Sequence, residues 1–266
     1  MQSESGKEVI YETDGGVAII TLNAPQRRNA LTLAMAQEML QAFDAADADP
    51  SIGAVIIRGA GGSFCAGAEL GTTEKMFTDP LDPAVYDGTT LVYESFCRAG
   101  RLRAPVIAAV RGAAVGAGMN LLLAADVRIV ADDARLLSGF FRLGTHPGGG
   151  HMMLMAETAT LDAVCAMAVF GEEINGLRAQ QLGLAWASVP DGEVEPKAMA
   201  MARYAARDPE LARAIIHTLR LTAGEKAAKW NLALQAERST QTWAMRRIGR
   251  KREQTAGPNE KPNDRA

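Results

Sequence analysis

Residues 8–12 and 17–22 are two short runs of β-prone residues on either side of Asp14-Gly15-Gly16, a turn dipeptide followed by a second glycine, so the chain opens on a hairpin. From Thr32, an N-cap residue type, to about Ala48 the apolar positions Leu33, Ala36, Met39, Leu40 and Phe43 recur at helical spacing. That pattern predicts an amphipathic helix. Ala54-Val-Ile-Ile57, bounded by Gly53 and Gly59, is an unbroken apolar run of the kind that fits a buried parallel strand. The pattern then returns: an amphipathic stretch over 84–103, the run Val106–Val110, a glycine-rich passage from Gly112 to Gly118 leading into Leu121–Ala125, and the run Val127–Val130. Strands alternating with helices in this way predict a layered α/β core.

Beyond Gly149 the strand signals nearly vanish, and Ala, Leu, Met, Arg and Glu dominate to about residue 248, so the C-terminal third reads as helical. Residues 250–266 are charged and rich in Pro and Asn, without apolar periodicity, which predicts a mobile tail. No repeat and no linker between independent domains is evident. The expected division is an α/β core over 1–190, a helical region over 191–250 and a tail over 251–266.

Composition narrows the function classes. At 266 residues the chain can bury a large core, and 48% hydrophobic with 22% charged residues is ordinary globular usage. A net charge of −3 argues against a protein that holds nucleic acid through a general basic field. Three cysteines (Cys65, Cys97 and Cys165), far apart and odd in number, lack the spacing of a disulfide framework or a zinc site, and fit a reducing cytoplasm. The first 16 residues do not read as a secretory signal. The long apolar stretch from Pro105 to Ala125 is interrupted by Arg111 and Asn120, which argues against a membrane span.

Two segments carry candidate chemistry. Gly59-Ala-Gly-Gly-Ser-Phe-Cys-Ala-Gly-Ala-Glu-Leu70 follows a strand, and its small residues let a backbone approach a ligand closely. Taken alone it reads first as a glycine-rich turn, with a loose dinucleotide loop as the alternative. Val110-Arg-Gly-Ala-Ala-Val-Gly-Ala-Gly-Met-Asn120 also follows a strand and leads into a helix, whose unpaired N–H groups suit an oxyanion or a phosphate.

Together the segments resemble a known family. Phe-Cys-Ala-Gly-Ala-Glu-Leu is similar to the FxAGADL signature of the enoyl-CoA hydratase/isomerase (crotonase) superfamily, and Arg111–Asp126 to its NGxAxGGGxELAxxCD signature. Leu22–Leu31 resembles the family's LNRPxxxNAL, and Leu143–Gly150 its LGxxPGxGG. The likeness continues to Ala179–Leu184, covering about residues 8–190 in order.

The resemblance implies a coiled ββα core with a C-terminal helical region that mediates trimer formation and often caps a neighbour's site. It implies no prosthetic group; coenzyme A enters as part of an acyl-CoA thioester substrate. By position, the oxyanion donors become the backbone N–H groups of Ala68 and Ala117. Coenzyme contacts fall on Arg27, Arg28, Ala30, Ala66, Gly67, Ala68 and Leu70, with the two arginines near the diphosphate. Arg250, Lys251 and Arg252 are candidates for phosphate contacts from a neighbouring subunit. The expected assembly is a homotrimer or hexamer, with no nucleic acid and no membrane span.

One departure bears on the reaction. The family's hydratases use two glutamates as base and acid; here those positions are Asn120 and Phe140. Asparagine orients a carbonyl or a water but cannot take up a proton, and phenylalanine does neither. His146, in the loop after Phe140, is a candidate substitute base; His151, expected to begin a helix, is a weaker one. Glu69 reads as a local hydrogen-bonding residue, Cys65 as a small packing residue. Glu74, Asp79, Asp82, Asp87 and Glu94 fall in a variable stretch expected to line the acyl pocket. Two readings result: an acyl-CoA enzyme working through an enolate-like state, nearest to enoyl-CoA hydratase in name, or an acyl-CoA-binding homologue without hydratase activity. A dinucleotide-binding oxidoreductase lacks its ordered glycine fingerprint and acidic partner.

Overall fold

The computed structural model describes residues 6–69, 76–222 and 226–255, with only the backbone of 226–228. The opening hairpin is β1 (Val9–Asp14) and β2 (Val17–Leu22), paired antiparallel from Val9 with Leu22 to Asp14 with Val17. β2 is buried along its whole length because β3 (Ala54–Gly59) pairs parallel on its other edge and helices cover its faces. Next come β4 (Val106–Val110), β6 (Val127–Ala131) and β9 (Ala187–Val189), giving a six-stranded sheet in the order β1-β2-β3-β4-β6-β9. A second sheet contains β5 (Ala113–Val115), β7 (Arg135–Leu137) and β8 (Glu173–Ile174), and isolated bridges add Cys65 against Ala114 and Leu31 against Ala68.

The connectivity is a coil. The chain visits the large sheet, crosses to the small one, and then enters a helix. β2 leads through Leu31 to α1 (Leu33–Ala48), and β3 through Cys65 and Ala68 towards α2 (Pro83–Ala99). β4 leads through β5 to α3 (Ala117–Ala124), and β6 through β7 to α4 (His151–Ala156). This is the expected ββα arrangement.

Local chemistry fixes the helix starts. Thr32 accepts from Met35 N–H at 2.9 Å to begin α1, and Asp82 accepts from Ala84 and Val85 N–H to begin α2. Among the residues expected near the acyl pocket, Asp82 is thus a cap.

The C-terminal half holds α5 (Leu161–Ala168), α6 (Gly176–Gln181), α7 (Val194–Ala205), α8 (Pro209–Thr222) and α9 (Lys226–Thr255). Three features differ from the sequence reading. Val194, Ala198, Ala202 and Trp230 belong to the same hydrophobic core as the strands, so the helices beyond 190 are continuous with the α/β layer. β8 and β9 lie in the stretch that reads as purely helical, because segments of two and three residues show no alternation for a pattern to reveal. α9 continues to Thr255, past the expected start of the tail at 251; cations in its last turns favour the negative helix end, and the Arg252 guanidinium lies 4.8 Å from the Phe77 ring centroid. Among the described residues no helix is long and apolar enough to cross a membrane.

Candidate active site

The site is built where two loops run side by side. Leu31 N–H donates to Gly67 O at 2.7 Å, and Glu69 N–H to Leu31 O at 3.0 Å. In a parallel bridge of this kind the intervening residue directs its own N–H to the opposite side, so Ala68 N–H turns away from Leu31. Cys65 N–H donates to Ala113 O and Val115 N–H to Cys65 O, both at 3.0 Å, which zips the second loop against the first.

Ala117 is the first residue of α3, so its N–H is one of the helix's four donors without an intrahelical acceptor. Neither this N–H nor that of Ala68 has an acceptor among the described residues. Gly67 separates the two loops with φ +94°, and a Cβ there would lie 2.8 Å from Val115 O and 3.8 Å from Ala117 N. Only glycine admits this conformation and approach together.

Both donors line one cavity of about 310 Å³. Leu31, Leu33 of α1, and Val85 and Val92 of α2 form its apolar side; Tyr93, Asn120 and Gln241 supply most of its polar side chains, and Phe140 and Gly148 complete that wall. Among the described residues, no Asp, Glu, His, Lys or Arg lines it. No group of three metal-ligating side chains occurs among the described residues either. Tyr93 is the ionisable lining residue, and burial pushes its phenol above the usual range, so it stays neutral.

Asn120 is held by a buried polar chain. Its Nδ2 donates to Gly148 O at 2.9 Å, which leaves Oδ1 as the acceptor facing His151 Nδ1 at 2.7 Å. His151 therefore carries its proton on Nδ1, and its bare Nε2 accepts from Ser138 Oγ at 2.8 Å. Phe140 packs edge-on against the same imidazole with centroids 4.9 Å apart. Asn120 and Phe140 thus both pack on one neutral histidine.

Burial lowers the His151 pKa to about 3. An unfolded histidine protonates near 6.5, whereas the folded one does not until about 3, so stability attributable to this group is complete above pH 6.5 and is lost as pH falls towards 3. Between pH 7 and pH 5 the expected loss is about 2 kcal/mol, at about 1.4 kcal/mol per unit. Urea denaturation at the two pH values checks this, and His151→Gln should shrink the difference by that amount.

The remaining sequence candidates are placed as follows. His146 lies outside the cavity: it lines a neighbouring groove with Trp243 and Lys251, and its Nδ1 lies 2.6 Å from Pro147 O. Arg27 forms an ion pair with Glu8 at 2.6 Å, and its Nε donates to the Ala30 carbonyl at 3.1 Å. Arg28 is exposed at φ +53°, and its carbonyl accepts from Ala66 N–H at 3.0 Å. Arg27, Arg28, Ala30, Ala66, Gly67 and Ala68 consequently form one contiguous strip beside the donors.

Asp79, Asp82, Asp87 and Glu94 do not line the cavity; Asp87 and Glu94 are exposed on α2, and Asp79 faces Arg246 at 3.8 Å. Leu70 and Glu74 lie outside the described residues. Lys251 and Arg252 line the groove that holds His146. Cys65 is fully buried with its pKa pushed up to about 12, as a packing thiol requires. Sequence reading missed Tyr93, Gln241 and Ser138. Their partners lie 148 residues away in the first two cases and 13 in the third, so no local spacing marks them.

The family model for enoyl-CoA hydratase/isomerase matches residues 12–254. The chain belongs to the enoyl-CoA hydratase/isomerase family. Its members are acyl-CoA enzymes of the lyase and isomerase classes. Similar curated proteins include a probable enoyl-CoA hydratase of Mycobacterium tuberculosis, 39% identical over 81% of this chain and 82% of that protein. A 1,2-epoxyphenylacetyl-CoA isomerase of Escherichia coli is 30% identical over 78% of this chain and 79% of its own length. Among solved structures, an enoyl-CoA hydratase/isomerase from Xanthobacter autotrophicus superposes with a TM-score of 0.81 at 28% identity, covering 90% of this chain and 87% of that one. The crotonase fold of the family is therefore the fold of this chain. α9 packs on its own chain's cavity through Gln241.

Proposed function

We propose that this family member binds an acyl-CoA thioester with its carbonyl oxygen between the Ala68 and Ala117 N–H groups, and stabilises the enolate formed there. The observation that carries the reading is that Ala68 and Ala117, whose N–H groups have no acceptor among the described residues, both line one apolar cavity. A resting thioester carbonyl carries little charge, whereas an enolate oxygen carries much of a full one. Fixed donors therefore favour the enolate over the ground state, which is the difference that accelerates a reaction. Each contributes on the order of 3 kcal/mol.

The acyl chain lies between Leu31, Leu33, Val85 and Val92. The coenzyme runs along the strip formed by Arg27, Arg28, Ala30, Ala66, Gly67 and Ala68, with the arginines near its diphosphate. Asn120 presents an amide to the acyl group, and Phe140 an apolar wall. The nearest conventional label is enoyl-CoA hydratase, but water addition between two carboxylates is not the chemistry of this lining. That lining, with no carboxylate or imidazole among the described residues, also favours a second reading, an acyl-CoA binder without hydratase activity.

Butyryl-CoA, crotonyl-CoA and longer enoyl-CoAs offered to the purified protein test both. Calorimetry reads binding, and loss of the enoyl absorbance reads turnover. The expected result is binding of all, with crotonyl-CoA hydration about 10²–10⁴-fold slower than in a two-glutamate hydratase. Binding without conversion of any enoyl thioester supports the second reading; failure of every CoA thioester to bind overturns both.

A homotrimer or hexamer in the cytoplasm completes the proposal. Phe141, Val169 and Phe170 are exposed on adjacent loops joined by the Arg142 to Gly171 O hydrogen bond, an apolar face suited to another copy. The three free thiols suit a reducing compartment.

A further inference from the structure

The cavity continues past Asn120 to a polar pair that enolate stabilisation does not use. Tyr93 on α2 donates its hydroxyl to Gln241 Oε1 on α9. Both residues are more than nine-tenths buried, and both line the cavity. With its oxygen occupied, Gln241 has its Nε2 left, and that amide donates to nothing among the described residues. It is not sealed in protein either, since it is absent from the fully enclosed unpartnered groups. An amide this far buried but open to the cavity donates to whatever acceptor fills that cavity, water or a ligand oxygen, and is left unpaired when an apolar chain displaces the water.

Its place along the cavity is fixed by Gly148. Gly148 O accepts from Asn120 Nδ2 at 2.9 Å, and a Cβ at Gly148 would lie 2.3 Å from Gln241 Nε2 and 2.4 Å from Tyr93 Oη. Contacts therefore link Ala117, Asn120 one helical turn on, Gly148 and Gln241 in sequence. With the thioester oxygen at Ala117 and the β-carbon near Asn120, Gln241 stands beyond the β-carbon. The walls before it are apolar.

We infer that Gln241 is the specificity-determining donor for an oxygen carried on the acyl chain beyond its β-carbon, and that Tyr93 is the positioning residue that turns the Gln241 amide nitrogen towards it. The substrate class is an oxygen-bearing acyl-CoA rather than a plain alkanoyl-CoA. This rests on the thioester site proposed above. A site built to bond a hydroxyl discriminates strongly against the analogue without one, because its own donor is then left unpaired. The apolar walls alone would not discriminate in that direction.

The experiment compares pairs of equal length and shape: 4-hydroxybutyryl-CoA with pentanoyl-CoA, and 5-hydroxypentanoyl-CoA with hexanoyl-CoA. Kd values are measured by calorimetry on the full chain. At least one hydroxylated thioester is expected to bind 10-fold or more tightly than its alkyl partner. Gln241→Leu should bring that ratio to within twofold of one, and Tyr93→Phe, which frees the Gln241 amide to rotate, should reduce it severalfold. A purely structural role for Tyr93 would alter both affinities without moving their ratio. Alkyl partners that bind as well as the hydroxylated ones overturn the inference, as does a ratio that survives in both variants. Failure of all four thioesters to bind the wild type removes the thioester site itself, a different result from binding without preference.

Discussion

Glu237→Ala is expected to lower the unfolding free energy by about 3–5 kcal/mol and to loosen α9 from the core. Glu237 Oε2 accepts from the N–H groups of Gly150 and His151 at 2.7 and 2.9 Å, and Oε1 from Met152 N–H at 2.9 Å. The carboxylate thus caps the first turn of α4 from a helix 87 residues distant, with only 5% of its surface exposed. Alanine would leave three donors at a buried helix start without an acceptor. Bonds to a charged acceptor are each worth about 1.5–3 kcal/mol, and part of that returns as water enters the gap.

Glu237→Gln keeps one accepting oxygen but points a donor at the remaining N–H groups, so its loss should fall between alanine and wild type. Urea denaturation supplies the energies, and amide exchange along α9 separates local release from global unfolding. If Glu237→Ala costs under about 1 kcal/mol, the anchor is not what holds α9. Burial raises the Glu237 pKa more than the three N–H bonds lower it. A carboxyl with a raised folded pKa loses stability as pH climbs from 4.5 through that value, so in acid it acts against His151, whose neutral imidazole loses stability as pH falls. The net acid slope is therefore expected to steepen in Glu237→Gln.

The anchor also shows what a sequence can and cannot reveal. The opening hairpin, the Thr32 cap and the buried run at Ala54–Ile57 are legible because each rests on neighbours in the chain, and each stands where the pattern puts it. The two proposed donor positions come from the family resemblance, and the glycines and helix start beside them are local features that a sequence displays. Glu237, Gln241 and Tyr93 have none. On α9 a buried Glu or Gln looks like any solvated residue until the partner 85 to 148 residues away is known. His151 was legible as a helix start, but not as the group that holds Asn120, since the Ser138–His151–Asn120 chain joins three elements across the small sheet and two helices. The short strands β5, β7 and β8 escaped for want of length.

Gly67→Ala is expected to reduce turnover of whichever acyl-CoA the protein converts by about 10²–10³-fold, the loss associated with removing one oxyanion donor. Two effects coincide at this residue. With φ +94° an L side chain is strained by about 1–3 kcal/mol, and the new Cβ would meet Val115 O at 2.8 Å, closer than real contacts allow. The cheapest relief is to part the two loops. That moves Ala68 N–H away from Ala117 N–H, because Val115 and Ala117 lie on the same short span and Gly67 O is tied to Leu31. Gly62→Ala provides the control: it also has a left-handed φ, +77°, in the same loop, but its Cβ would meet nothing within 4 Å. Strain alone predicts that both substitutions lower stability and neither greatly changes turnover. Displacement of the donors predicts that only Gly67→Ala loses the rate, with kcat falling more than acyl-CoA affinity, because a donor pair aimed at an enolate acts chiefly in the transition state. Equal kcat in the two variants would show that the spacing of Ala68 and Ala117 does not set the rate.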